Sequence, residues 1–189
     1  MTQKSFKYLK QEINILTKRG IDFIFTAAIL WLFIAYVWTL DYSSYDNSII
    51  TFIIGAFLLP MAFGMSKVFK TNWKIKDNPL DPLGLWLNFA QLIYFPFLIF
   101  ILIKYPDYFI MTYAIITGAH LFPYAWYYDE MAYAVAAIII SVGSLLIALN
   151  TDLSTIWLVP LFTSVILFLL ALWIFTTNKK LPKIEDIDG

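Results

Sequence analysis

Cysteine is absent from the 189 residues, histidine occurs once, and charged residues make up only 14% of the chain. The first absence excludes disulfides, thiolate metal sites and cysteine nucleophiles. With one histidine besides, neither a bis-histidine haem nor an ordinary zinc site can be assembled. G-x-S-x-G, H-E-x-x-H and G-x-x-x-x-G-K-[ST] signatures are missing too. The expectation is therefore no metal, no cofactor and no assignable catalytic residue. The scarcity of charge says most, because a soluble domain carries about a quarter charged residues and 61% of this chain is hydrophobic. Such a chain lacks the polar surface that water demands and reads as an all-α integral membrane protein. Thirteen Lys+Arg offset thirteen Asp+Glu, so net charge offers no case for nucleic acid or an acidic substrate.

What is present is a series of long apolar runs. Set against the roughly 20 residues that cross ~30 Å of hydrocarbon, they give six transmembrane helices at 21–40, 49–66, 83–103, 108–128, 131–149 and 156–176. The runs are apolar all round rather than alternating, which excludes a β-barrel and requires each to satisfy its backbone internally as a helix. The run from Ile21 is too long for a signal-peptide core and ends without an A-x-A cleavage site, so it reads as a retained span. Residues 21–176 form one six-helix domain, flanked by a basic interfacial segment (1–20) and a short tail (177–189). So little lies outside the spans that no separate soluble catalytic domain fits.

Lys4, Lys7, Lys10, Lys18 and Arg19 precede the first span, Lys67, Lys70, Lys74 and Lys76 lie between the second and third, and Lys179, Lys180 and Lys183 follow the sixth. Twelve of the thirteen bases thus fall on one side, with Lys104 alone opposite among Asp41, Asp46, Asp107 and Asp152. The positive-inside rule places both termini in the cytoplasm. Aromatics mark both boundaries, Trp38, Tyr42, Tyr105 and Trp157 on the outer side and Trp73, Trp126, Tyr127, Tyr128, Tyr133 and Trp173 on the inner. The very short outer loops make neighbouring helices antiparallel. Phe6, Leu9, Ile13 and Leu16 recur at helical spacing among the N-terminal lysines, which predicts an amphipathic helix on anionic lipid of the inner leaflet.

Polar side chains at membrane depth are costly and point to function. Asn88 and Gln91 share one face of the third span, and His120 lies in the fourth. At ~1.5 Å per residue from the cytoplasmic ends they sit about 8, 12 and 12 Å deep, which predicts a hydrogen-bonded cluster in the inner half of the bundle. Tyr113, Thr117, His120, Tyr124 and Tyr127 line one face of the fourth span, and Pro123 loosens the backbone beside His120. Ala137, Ser141, Ser144 and Ala148 give the fifth span a small face for close packing. Asp22, Asp129 and Glu130 continue the polar path to the cytosol. In the loop at 77–82, Asp77 and Asp81 flank Asn78-Pro79-Leu80, a helix-initiating turn or a Mg²⁺-phosphate holder. The two halves of the chain share nothing beyond hydropathy.

Two stretches carry a resemblance. One runs from Asn78-Pro79-Leu80 through Gly84 to Asn88-Phe89-Ala90-Gln91 and Phe95-Pro96; the other is 113–126, Tyr-Ala-Ile-Ile-Thr-Gly-Ala-His-Leu-Phe-Pro-Tyr-Ala-Trp. Together they resemble an uncharacterised family of bacterial multi-pass membrane proteins, a domain of unknown function. The resemblance implies a bacterial inner-membrane setting and supplies no chemistry.

The reading that follows is a non-enzymatic membrane protein that binds or moves a small or amphipathic molecule, a lipid included. Asn88, Gln91, His120 and Tyr124 line its pocket, with Tyr127 and Asp22 at the mouth. Two alternatives stand beside it. One is a lipid-modifying intramembrane enzyme with His120 as general base. The other is an oligomeric effector, immunity or accessory subunit in which the same cluster is packing glue worth roughly 0.6–2 kcal/mol per hydrogen bond.

Overall fold

The computed structural model describes residues 5–182 and 184. Lys4, Lys183 and the acids of the expected tail, Glu185, Asp186 and Asp188, lie outside the described residues. Nine α-helices and no strand occur among the described residues: α1 (Phe6–Thr17), α2 (Ile21–Val37), α3 (Ser44–Ala56), α4 (Leu58–Phe69), α5 (Asp81–Leu92), α6 (Phe95–Lys104), α7 (Phe109–Tyr127), α8 (Ala132–Leu149) and α9 (Leu158–Asn178).

Proline chemistry explains why there are more helices than expected spans. The second and third apolar runs are each broken in two. α4 starts with Pro60 in its first turn and α6 with Pro96 in its first turn, positions where the missing N–H costs nothing but where the preceding hydrogen-bond ladder stops. Pro160 likewise falls in the first turn of α9. Pro123 alone lies inside a continuous helix.

Five segments are long and apolar enough to cross a membrane: Phe6–Val37, Ser44–Phe69, Asp81–Lys104, Ala132–Leu149 and Leu158–Asn178. α7 is not among them, because its threonines, tyrosines and His120 dilute its hydropathy. The packing compensates. α7 is enclosed by α8 and α9 on one side and flanked by α3, α5 and α6, so it has the least need of an apolar exterior.

The core is a four-helix arrangement of α2, α7, α8 and α9. Ile34, Phe109, Ile110, Ile140, Val159, Leu167 and Ile174 are almost wholly buried in it. Trp31 of α2 stacks on Tyr113 of α7 at 5.2 Å, and Ser164 Oγ of α9 donates to Ala28 O of α2 at 2.8 Å. The small face of α8 meets α7 closely. A Cβ added to Gly118 would lie 2.6 Å from Ser141 Oγ and 2.9 Å from Ile140 Cγ2, so only glycine permits this approach. The α3–α4 and α5–α6 rods flank the core, on α2 and α7 respectively. Leu59, Phe63, Leu85, Trp86, Phe89 and Ile93 remain more than 45% exposed on them.

The two ends of the bundle differ. At one end Trp38 Nε1 donates to Thr51 Oγ1 at 3.0 Å, tying α2 to α3. There Asp152, exposed in the α8–α9 connection, is held below the usual carboxylate range by hydrogen bonds from the Ser154 and Thr155 hydroxyls. The other end gathers the basic segments. α1 lies over it with Ile13 fully buried. Asn78 Nδ2 donates to Leu9 O at 2.9 Å and Glu12 Oε2 at 2.8 Å, while Asn72 N donates to Leu16 O at 2.9 Å. The amphipathic helix expected within 1–20 is thus present as Phe6–Thr17, and its inner face packs on the chain's own loop.

Candidate functional site

The site is built on the seam between α5 and α7. Asn78 Oδ1 accepts from Leu80 N at 2.9 Å and Asp81 Oδ1 from Ile75 N at 3.2 Å. Pro82 then opens α5 in its first turn. The loop thus acts as a helix-initiating turn, and among the described residues no group of three or more His, Asp or Glu could hold a metal ion.

Along the seam Asn88 Nδ2 donates to Gly84 O at 3.0 Å, and its side chain also meets the Tyr124 hydroxyl. Tyr124 Oη reaches Gly84 O at 3.4 Å and Tyr127 Oη reaches Leu80 O at 3.4 Å. The His120 imidazole stands edge-on to the Tyr124 ring at 5.3 Å. Asn88, His120, Tyr124 and Tyr127 are therefore contiguous. Neither the His120 nor the Gln91 side chain forms a hydrogen bond with a described residue, so the expected three-residue hydrogen-bonded cluster of Asn88, Gln91 and His120 is absent. Tyr124 takes the central place. No residue of α5 is buried, which leaves the seam close to the surface.

Asp22 occupies a separate node. It sits in the first turn of α2, where the helix dipole favours a carboxylate, and is 1% exposed. Its Oδ2 accepts from Thr71 Oγ1 and Trp73 Nε1, both at 2.7 Å, pinning the loop after α4. Asp22→Ala leaves both donors unpaired and should lower stability by about 2 kcal/mol. The measurement is thermal unfolding in mild detergent together with limited trypsinolysis, which should accelerate at Lys70, Lys74 and Lys76. Unchanged cleavage would show that Asp22 does not hold the loop.

Between the seam and this node lies a cluster of four tyrosines. The Tyr124 ring is 5.7 Å from Tyr128 and 6.0 Å from Tyr133, and Tyr127 is 4.8 Å from Tyr128. Tyr133 Oη donates to Arg19 O at 2.5 Å. Asp22 lies within electrostatic reach of Tyr128 and Tyr133. Tyr127, Tyr128 and Tyr133, expected at a lipid–water boundary, are buried, as is Trp38 on the opposite side. Glu130, expected to continue the polar path to the cytosol, pairs with Arg19 at 3.1 Å and accepts from Trp173 Nε1 at 3.1 Å. Its neighbour Asp129 is exposed and 3.5 Å from Lys10. Tyr128, Tyr133 and Arg19 were missed as site neighbours, and the density of tyrosine around the 128–131 turn was the one signal for the first two.

Chemically the seam offers neutral hydrogen-bond donors and acceptors with no activated nucleophile. Ser141 Oγ of α8 donates to Ile115 O at 3.3 Å. The carboxylate of Glu130 is committed to Arg19 and Trp173.

A family of unknown function, DUF7010, matches residues 6–177, and the chain belongs to it. This agrees with the resemblance read from the 78–96 and 113–126 stretches. No curated protein matches. No solved structure matches either.

Proposed function

We propose that this member of the family is a bacterial inner-membrane protein of six spans with both termini cytoplasmic, and that it binds or moves a small amphipathic molecule along the α5–α7 seam. The placement rests on the gathering of Lys18, Arg19, Lys70, Lys74 and Lys179 at one end of apolar helices, on the side the positive-inside rule assigns to the cytoplasm. The whole Ser44–Phe69 and Asp81–Lys104 rods serve as spans, with a break in each near mid-depth. α7 crosses inside the bundle, shielded by its neighbours.

One observation carries the binding reading. On the two helices of the seam, beside an Asn88–Tyr124 contact, the side chains of His120 and Gln91 make no hydrogen bond with a described residue. A polar group at membrane depth without a partner is costly, and a ligand head group supplies the missing donors and acceptors. Glue is a weaker reading for these two side chains, since glue requires the hydrogen bonds that they do not make. The enzymatic reading is disfavoured because Ser141 donates to Ile115 O and Glu130 is committed to Arg19 and Trp173.

The test is native mass spectrometry of the protein released from mild detergent. His120→Ala and Gln91→Ala should keep the wild-type thermal midpoint within a few degrees and lose the co-purifying small molecule. Variants that retain every bound species of the wild type would overturn the seam as a ligand site. Incubation with labelled bacterial lipids should yield no His120-dependent product; such a product would restore the enzymatic reading.

A further inference from the structure

A second site lies at the basic end, away from the seam. A cavity of about 560 Å³ opens between the turn after α1, the end of α4 and the end of α9, and is lined by Lys18, Lys70 and Lys179 over an apolar wall that includes Ile21, Val68 and Phe175. That volume is in the range of ordinary ligand pockets. Three separate elements supply the lysines. No carboxylate lines the cavity among the described residues.

Each lysine is set by a local cause. Lys18 Nζ donates to Phe69 O at 2.6 Å, which uses one of its three protons and points the ammonium across the cavity rim. Lys70 takes a left-handed conformation (φ 55°) as it ends α4 and projects from the helix end. Lys179 lies over the Phe175 ring at 4.6 Å. Below the ammonium groups Val68 is 67% exposed and Phe175 46% exposed, an apolar surface that water would leave unsatisfied.

We propose that this cavity binds one anionic phospholipid, its phosphate among Lys18, Lys70 and Lys179 and its acyl chains along Val68 and Phe175. Cationic rim and apolar wall stand in the order in which an inner-leaflet lipid presents phosphate and chains. The inference rests on the membrane orientation given above and is independent of the α5–α7 seam.

The experiment uses the full chain in mild detergent, with palmitoyl-oleoyl phosphatidylglycerol and its phosphatidylcholine counterpart as probes. Retention is read by native mass spectrometry. The wild type should retain phosphatidylglycerol in preference to phosphatidylcholine. At about fivefold per lysine, the exposed-residue variant Lys70→Gln/Lys179→Gln should weaken phosphatidylglycerol retention by about 25-fold, leave phosphatidylcholine unchanged and keep its lipid-free thermal midpoint. Soluble glycerol 3-phosphate should not compete. Equal retention of the two lipids, an unaffected double variant, or competition by glycerol 3-phosphate as strong as by the lipid would each overturn the site. Liposome flotation separates the two failures. A wild type that does not float overturns the membrane orientation and this site with it, whereas one that floats without lipid preference overturns the site alone.

Discussion

Glu130→Ala should destabilise the purified protein by about 3–5 kcal/mol, the cost of leaving a buried charge without its partner. The Arg19 and Glu130 side chains are only 13% and 11% exposed and meet at 3.1 Å. Arg19 Nε is already buried without a hydrogen-bond partner, so losing Glu130 would leave the guanidinium with little to offset its desolvation. The indole of Trp173 would lose its acceptor as well. The pair need not be worth as much as its breaking costs. Arg19→Met/Glu130→Leu removes both charges and should recover most of the loss, as apolar replacements of buried pairs do. Thermal or SDS-induced unfolding of the wild type, Glu130→Ala and Arg19→Met/Glu130→Leu gives the answer. A Glu130→Ala protein within 1 kcal/mol of wild type (about the worth of an exposed pair) would mean that the carboxylate is solvated.

Gly20→Ala carries the second large effect, about 2–4 kcal/mol from two additive causes. Gly20 closes a turn in which Lys18, Arg19 and Gly20 all have positive φ, at 46°, 53° and 67°. A side chain in that conformation is strained. The added Cβ would also lie 2.8 Å from Tyr128 Oη and 3.3 Å from two ring carbons. Tyr128 cannot retreat, because Tyr124, Tyr127 and Tyr133 surround its ring. Combining Gly20→Ala with Tyr128→Phe removes the closest clash and keeps the backbone strain. The double variant should therefore be more stable than the sum of the single changes implies. Strict additivity would show that the tyrosine gives way freely.

Helical architecture was legible because an apolar run of about 20 residues has few other uses, and the clustering of bases anticipated which loops meet at one end. Helix breaks near Phe57 and Tyr94 were less so. Pro60 and Pro96 follow these breaks, but a proline can kink a helix or begin one, and only the packing decides. The tyrosine cluster was misread because a phenol suits a lipid–water boundary and a polar core equally well. Arg19 and Glu130 are 111 residues apart, and nothing local in either segment marks the other. At the seam, the helices were singled out by polarity, whereas the central role of Tyr124 depends on its reach to Gly84 across 40 residues.

The pairing of α2 with α9 has a consequence for how the chain is made. Lys18 O is held by Asn178 across 160 residues, and Ala28 O by Ser164 across 136. A chain that emerges from its N-terminus at ~5–20 residues per second has α2 in place well before its main partner exists. For that interval the face of α2 that carries Ala28 must be covered by lipid, a chaperone or the α3–α4 rod. α9 closes the bundle on α2, so loss of α9 would strand the first long helix as well as shorten the protein.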